Sequence, residues 1–157
     1  MAAFDEDLLR RTVRLSQAAR AAGNHPFGAL LAGPDGTPLI ESGNTFLQDK
    51  GVGHAELNVA RDAARRYEPA FLELCTLYTS VEPCCMCAGG IYWSGIGAVV
   101  FGVTESRLLE LTGDNPENLT MALPCRDVFD AGQRPVRVRG PFPALESLVV
   151  EAHEGFW

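Results

Sequence analysis

A chain of 157 residues, 46% hydrophobic and 21% charged, has the size and composition of one globular domain spanning 1–157. At that length roughly 70% of the unfolded surface can be buried, so neither disulfides nor a metal is needed to build a core. The net charge of −7 excludes a general phosphate-neutralising surface, so nucleic acid is not an expected partner.

No apolar run approaches the ~20 residues of a membrane span. The opening "MAAFDEDLLRR" is acidic and lacks the basic-then-apolar order of a signal peptide. A soluble, cytoplasmic protein with no membrane partner is expected.

Residues 5 to 22 read as a helix capped by Asp5 and stopped by Gly23, with Leu8, Thr12, Leu15, Ala19 and Ala22 forming one stripe. "FGALLAG" (27–33) and "TPLIESG" (37–43) flank a "PDG" turn and read as a hairpin. A helix follows from about His54 to Tyr67, then a strand over 74–81 and a short helix over 84–93 with Pro83 at its start. "GAVVFGV" (97–103) reads as a buried strand, "ESRLLELT" (105–112) as a helix and "GDNPEN" as a loop. A last strand is expected over 134–140 and a last helix over 143–155. The arginine clusters at 10, 11, 14 and 61, 65, 66 lie beside acids and read as solvated helix faces. This order predicts an α/β domain of three layers, α/β/α, around a mixed sheet of about five strands.

Three of the five cysteines crowd into "EPCCMC". Such a cluster in a reducing compartment reads first as metal-binding or catalytic. Cys75 and Cys125 stand alone and read as small buried hydrophobes. Cys84 and Cys87, three apart, share a helix face, and Cys85 is turned away by ~100°. Both favoured sulfurs lie at a helix N-terminus, where the thiolate is stabilised.

Upstream stands "GHAEL", with His54 and Glu56. Two thiolates and one imidazole leave the fourth position of a tetrahedral Zn²⁺ open, which marks a catalytic site. Residues two apart on a helix diverge by ~200°, so His54 and Glu56 cannot both act along a helix side. The site is expected off the ends of two helices, with Glu56 moving protons to and from the reacting water.

H-x-E followed by P-C-x-x-C is the signature of zinc deaminases. Over most of its length the chain resembles the cytidine and deoxycytidylate deaminase superfamily. The resemblance implies one zinc per chain on His54, Cys84 and Cys87, and proton shuttling by Glu56. Histidine at position 54 resembles the branch of tRNA adenosine deaminases, guanine deaminases, fungal-type cytosine deaminase and deoxycytidylate deaminases. "EPCCMCAGGIYWSGIGAVVFG" looks like the tRNA enzymes, whereas Phe27 in "HPFGALL" and the run Ile91–Tyr92–Trp93 resemble the guanine deaminases.

The terminal "EGFW" is similar to the C-terminal aromatics with which guanine deaminases close the pocket over a base. The resemblance implies substrate contacts from Phe27, Asn44, the backbone of Ala55 and Glu82, Trp93, Asp114, Phe156 and Trp157. Phe27 equally fits core packing, and Asn44 a hairpin-exit turn. The expected substrate is a small free base or nucleoside, with a guanine-like ring favoured. Isoguanine, a triazine such as ammeline and cytosine stay open, and a tRNA adenosine-34 deaminase is the alternative. The resemblance also implies a homodimer. A structural zinc module and a thiol redox protein are the competing classes, and neither accounts for "HAE".

Overall fold

The computed structural model of the protein describes residues 4–157. The first three residues of the acidic opening lie outside the described residues. Helix α1 spans Glu6–Ala21 and starts where the Asp5 carboxylate accepts the amides of Asp7 and Leu8. This caps two of the four N–H groups that a helix start leaves unpaired. Strands β1 (Gly28–Ala32) and β2 (Pro38–Gly43) form the hairpin. Short helix α2 (Phe46–Asp49) and a 3₁₀ turn (Lys50–Val52) lead into α3 (Ala55–Arg66).

Short helix α4 (Pro69–Leu72) precedes β3 (Thr76–Val81), and α5 (Cys85–Ser94) precedes β4 (Ala98–Val103). Helix α6 (Glu105–Thr112) and short helix α7 (Cys125–Asp130) flank an irregular segment, 113–124. Strand β5 (Arg137–Arg139), a second 3₁₀ turn and α8 (Glu146–His153) end the chain.

The five strands form one mixed sheet in the order β2-β1-β3-β4-β5. β1 runs antiparallel to β2 and β3; β3, β4 and β5 are parallel. Every residue of β1, β3 and β4 is buried, as expected of strands covered on both faces. Alternate residues divide between the two faces. Leu30, Ala32, Tyr78 and Val100 pack with Leu8, Leu9 and Leu145 on one side. Ala29, Leu31, Leu77, Val99 and Phe101 join Val59, Ala63, Ala88 and Ile91 in the other cluster. Helices α1 and α8 thus cover one face, and α3 and α5 the other.

Gly28 sets how close α1 comes: a Cβ there would lie 2.3 Å from the carbonyl oxygen of Thr12. The last strand is shorter than the expected 134–140. Pro135 has no N–H to give a ladder. The Arg134 guanidinium is drawn instead to the carbonyls of Ile91, Tyr92 and Ile96 at the end of α5. Helices α2, α4 and α7 were not anticipated, because four to six residues carry too little periodicity to read.

Candidate active site

The starts of α3 and α5 bring the metal-type donors together. His54 is the N-cap residue of α3, and Cys84 is the N-cap residue of α5. Pro83 therefore precedes the cap rather than opening the helix. Cys87 follows within the first turn. His54 Nδ1 lies 3.4 Å from Cys84 Sγ and 3.4 Å from Cys87 Sγ. The three donor atoms fall within 4.8 Å of one another. Tetrahedral zinc with ordinary bond lengths would set each N···S separation at about 3.6 Å, so the trio fits that ion. The hydrogen bond from Cys87 and the proximity of His54 pull the Cys84 thiol down to about 4, against the effect of burial.

Glu56 is the second residue of α3, in its first turn, and only 4% exposed. Its Oε2 lies 3.8 Å from Cys87 Sγ, and its Oε1 accepts from Thr79 Oγ1 at 2.8 Å. Burial raises its pKa, and the nearby His54 opposes that rise. Thr79, on β3, was read only as strand. A buried hydroxyl in a strand run carries no sequence mark of its task.

A cavity of about 310 Å³ opens over these groups. His54, Glu56 and Cys84 lie in its wall, with Phe27 and Asn44 alongside. Asn44 is buried, and its Oδ1 accepts from the amide of Phe46, so it holds the turn out of β2 as well as facing the cavity. Residues 117–121 line the cavity from the segment between α6 and α7.

His25, from the loop before β1, also lines the cavity. It stacks on Phe46 with centroids 4.1 Å apart, and its Nε2 lies 3.1 Å from Glu117 Oε2. Burial lowers its pKa, and Glu117 counteracts this.

The remaining expected contacts sit elsewhere. Trp93 is 86% exposed and does not line the cavity. It stands two residues beyond the buried Ile91, hence ~200° around α5. Asp114 is exposed; Glu117, three residues on, is the acid that reaches the cavity. Ala55 is buried in the first turn of α3, outside the cavity lining.

Phe156 and Trp157 pack behind the wall rather than in it. Their rings meet His25 edge-on at 5.6 and 5.0 Å, and Trp157 Nε1 donates to His153 Nδ1 at 2.9 Å. Glu82 is buried with its carboxylate turned to backbone: Oε1 accepts the amide of Glu105 at 3.0 Å and Oε2 that of Cys125 at 2.9 Å. It ties the start of α6 to the start of α7, the two ends between which the cavity-lining segment is strung.

Residues 2–103, covering the hairpin, the His54–Glu56 pair and the cysteines, match the cytidine and deoxycytidylate deaminase zinc-binding region. The chain belongs to the cytidine and deoxycytidylate deaminase family. Members of this family catalyse hydrolytic deamination, and the five-stranded mixed sheet is the fold of its solved members.

Among its relatives the deaminase is 36% identical over 149 residues to a probable cytosine deaminase of Schizosaccharomyces pombe, covering 95% of this chain and 90% of the other. It is 36% identical over 105 residues to a tRNA-specific adenosine deaminase of Haemophilus influenzae. That match covers 66% of this chain and spans 61% of the relative's length. The solved structure of a guanine deaminase from Bacillus subtilis superposes with a TM-score of 0.60 at 25% identity, covering 99% of this chain and 98% of that one. Among the described residues no helix is long and apolar enough to cross a membrane.

Proposed function

We propose that this deaminase is a zinc enzyme that hydrolyses the exocyclic amine of a free nucleobase, releasing ammonia. The observation that carries the reading is the cavity: about 310 Å³, lined by Glu56, His54, Cys84 and residues 117–121, with Cys87 buried beside His54 and Cys84. That volume lies at the lower end of small-ligand sites and suits a single ring system. His54, Cys84 and Cys87 would hold the zinc, which when bound supplies a Lewis acid that makes water a nucleophile near neutral pH.

Glu56 takes one proton of the attacking water on a carboxylate oxygen and delivers it to the ring nitrogen beside the amino-bearing carbon. It then carries the second proton, from the hydroxyl now on that carbon, to the leaving amine as the C–N bond breaks. The balance is one water in, one ammonia out, and a C–N bond exchanged for a C=O. Thr79 holds the Glu56 carboxylate during these transfers. Phe27 and Asn44 offer a ring face and an amide to the base.

The guanine-like ring favoured by the sequence and the cytosine suggested by the relative aligned along 95% of the chain are the two bases to test first. The tRNA reading is the weaker one. A net charge of −7 supplies little phosphate affinity.

The test is ammonia release from guanine, isoguanine, ammeline, cytosine, adenine, guanosine, cytidine, deoxycytidylate and an adenosine-34 anticodon stem-loop. Turnover is expected on a free base and none on the stem-loop. Inosine formation in the stem-loop with no free-base activity overturns the reading. Glu56→Gln should keep zinc and lose about 10²–10⁴-fold in kcat, the range for removing a general acid–base.

A further inference from the structure

Glu105 is a buried acid that the metal site and proton shuttle leave without a task. It is 5% exposed, yet it lines the same cavity as Glu56, His54 and Cys84. Its backbone amide is held by Glu82 Oε1 at 3.0 Å, which fixes the residue at the first position of α6. Among the described residues no hydrogen bond or ion pair reaches its carboxyl, and the charges bearing on it are those of Cys84, Glu56 and Glu82.

An ionised carboxylate without a partner is costly to bury. The cavity therefore presents a neutral carboxylic acid, one O–H donor beside one carbonyl acceptor, with its hydrogen-bonding capacity unused. Burial pushes its pKa up.

A carboxylic acid of this kind is complementary to a lactam, a ring N–H next to a ring C=O: its O–H meets the carbonyl and its C=O meets the N–H. Cytosine carries such an edge at N1–H and C2=O, and guanine at N1–H and C6=O. Adenine has no carbonyl. In both oxo-bases the edge can be gripped while the amino-bearing carbon faces the trio and Glu56. We propose that Glu105 is the substrate-contacting specificity residue that pairs with the lactam edge of a free oxo-purine or oxo-pyrimidine. The inference rests on the free-base reading above and narrows it to oxo-bases.

The experiment measures kcat and KM for ammonia release from cytosine and guanine, and from 1-methylcytosine and 1-methylguanine, in which the lactam N–H is blocked. Wild type should prefer the unmethylated base. Glu105→Ala should raise KM for that base about 10- to 100-fold with kcat changed less than about threefold, as expected for losing a buried hydrogen-bonding partner of the bound ring. It should also erase the preference over the methylated base.

Glu105→Gln keeps a donor and an acceptor and should hold both KM and preference near wild type. Glu105→Leu, apolar and of similar volume, repeats the alanine test if that variant is unstable. Wild-type KM and preference in the alanine or leucine variant overturn the inference. So does an equal loss on both bases with the preference intact, the mark of a merely structural residue. Absence of ammonia from every free base with wild-type enzyme instead overturns the free-base reading, and this inference with it.

Discussion

Thr79 Oγ1 stands 2.8 Å from Glu56 Oε1 and 2.9 Å from the carbonyl oxygen of Val81, in a fully buried arrangement. The hydroxyl has a single proton, so it serves the two acceptors in turn. An ionised Glu56 receives it. A protonated Glu56 donates to Thr79 instead, and the hydroxyl turns to Val81. One residue thus satisfies both states of the carboxyl proposed as the proton shuttle.

Thr79→Val removes that adaptability at nearly constant volume. A fall of about 10-fold in kcat is expected, with KM within about threefold, equivalent to one net hydrogen bond of about 1.4 kcal/mol. Thr79→Ser should restore most of the rate. Steady-state kinetics on whichever base is turned over decides it; an unchanged kcat in the valine variant removes Thr79 from the shuttle.

The cysteines differ sharply in their surroundings. Cys84 and Cys87 face His54, whereas Cys85 Sγ points to Met121 Sδ at 3.8 Å. Purified protein should contain about one zinc per chain. Cys84→Ser and Cys87→Ser should lose it, and Cys85→Ser should keep it. Metal analysis of the three variants is sufficient, and equal loss in the Cys85 variant contradicts the ligand assignment.

Deleting Phe156 and Trp157 takes away the rings packed behind His25 and Phe27. Partial burial of two aromatics suggests a stability loss of about 2 kcal/mol, seen as a lower urea midpoint with the slope unchanged. The loosened wall should raise KM about 10-fold while zinc content holds. Unaltered kinetics after the deletion would mean that these rings do not support the cavity.

His153 carries a pH signature in stability. It is buried, with Nδ1 accepting from Trp157 and Nε2 left without a partner among the described residues. Burial, with Arg20 nearby, lowers its pKa to about 4. Above pH ~6.5 the ring is neutral in both folded and unfolded chains and contributes no pH dependence. As pH falls from ~6.5 towards 4 the unfolded chain binds the proton and the folded one resists it, so stability is lost. The full effect is on the order of 3 kcal/mol. His153→Gln, which keeps an acceptor for Trp157, should flatten the difference curve of unfolding free energy against pH over that window. A variant curve parallel to wild type would show that His153 is not the titrating group.

The sequence by itself determined the α/β class, the order of the principal elements and the trio of His54, Cys84 and Cys87 with Glu56 beside it. Those features are written in local terms. Strands and helices announce themselves through periodicity and turn residues, and the candidate metal donors fall in two short motifs whose spacing reflects chemistry. The tertiary structure alone decided the rest of the cavity, because its residues come from segments far apart in the chain. Thr79 from β3, Glu105 from the start of α6, His25 from the loop before β1 and Glu117 from the segment after α6 carry no shared spacing. Trp93 shows the converse: the resemblance implies a substrate contact there, yet its helical phase sends it to solvent. Glu82 reads as the residue before Pro83 and acts through its carboxylate on two amides 23 and 43 positions away. A buried side-chain acceptor needs donors, and which backbone amides converge on one point is settled by packing, not by neighbouring residues in the sequence.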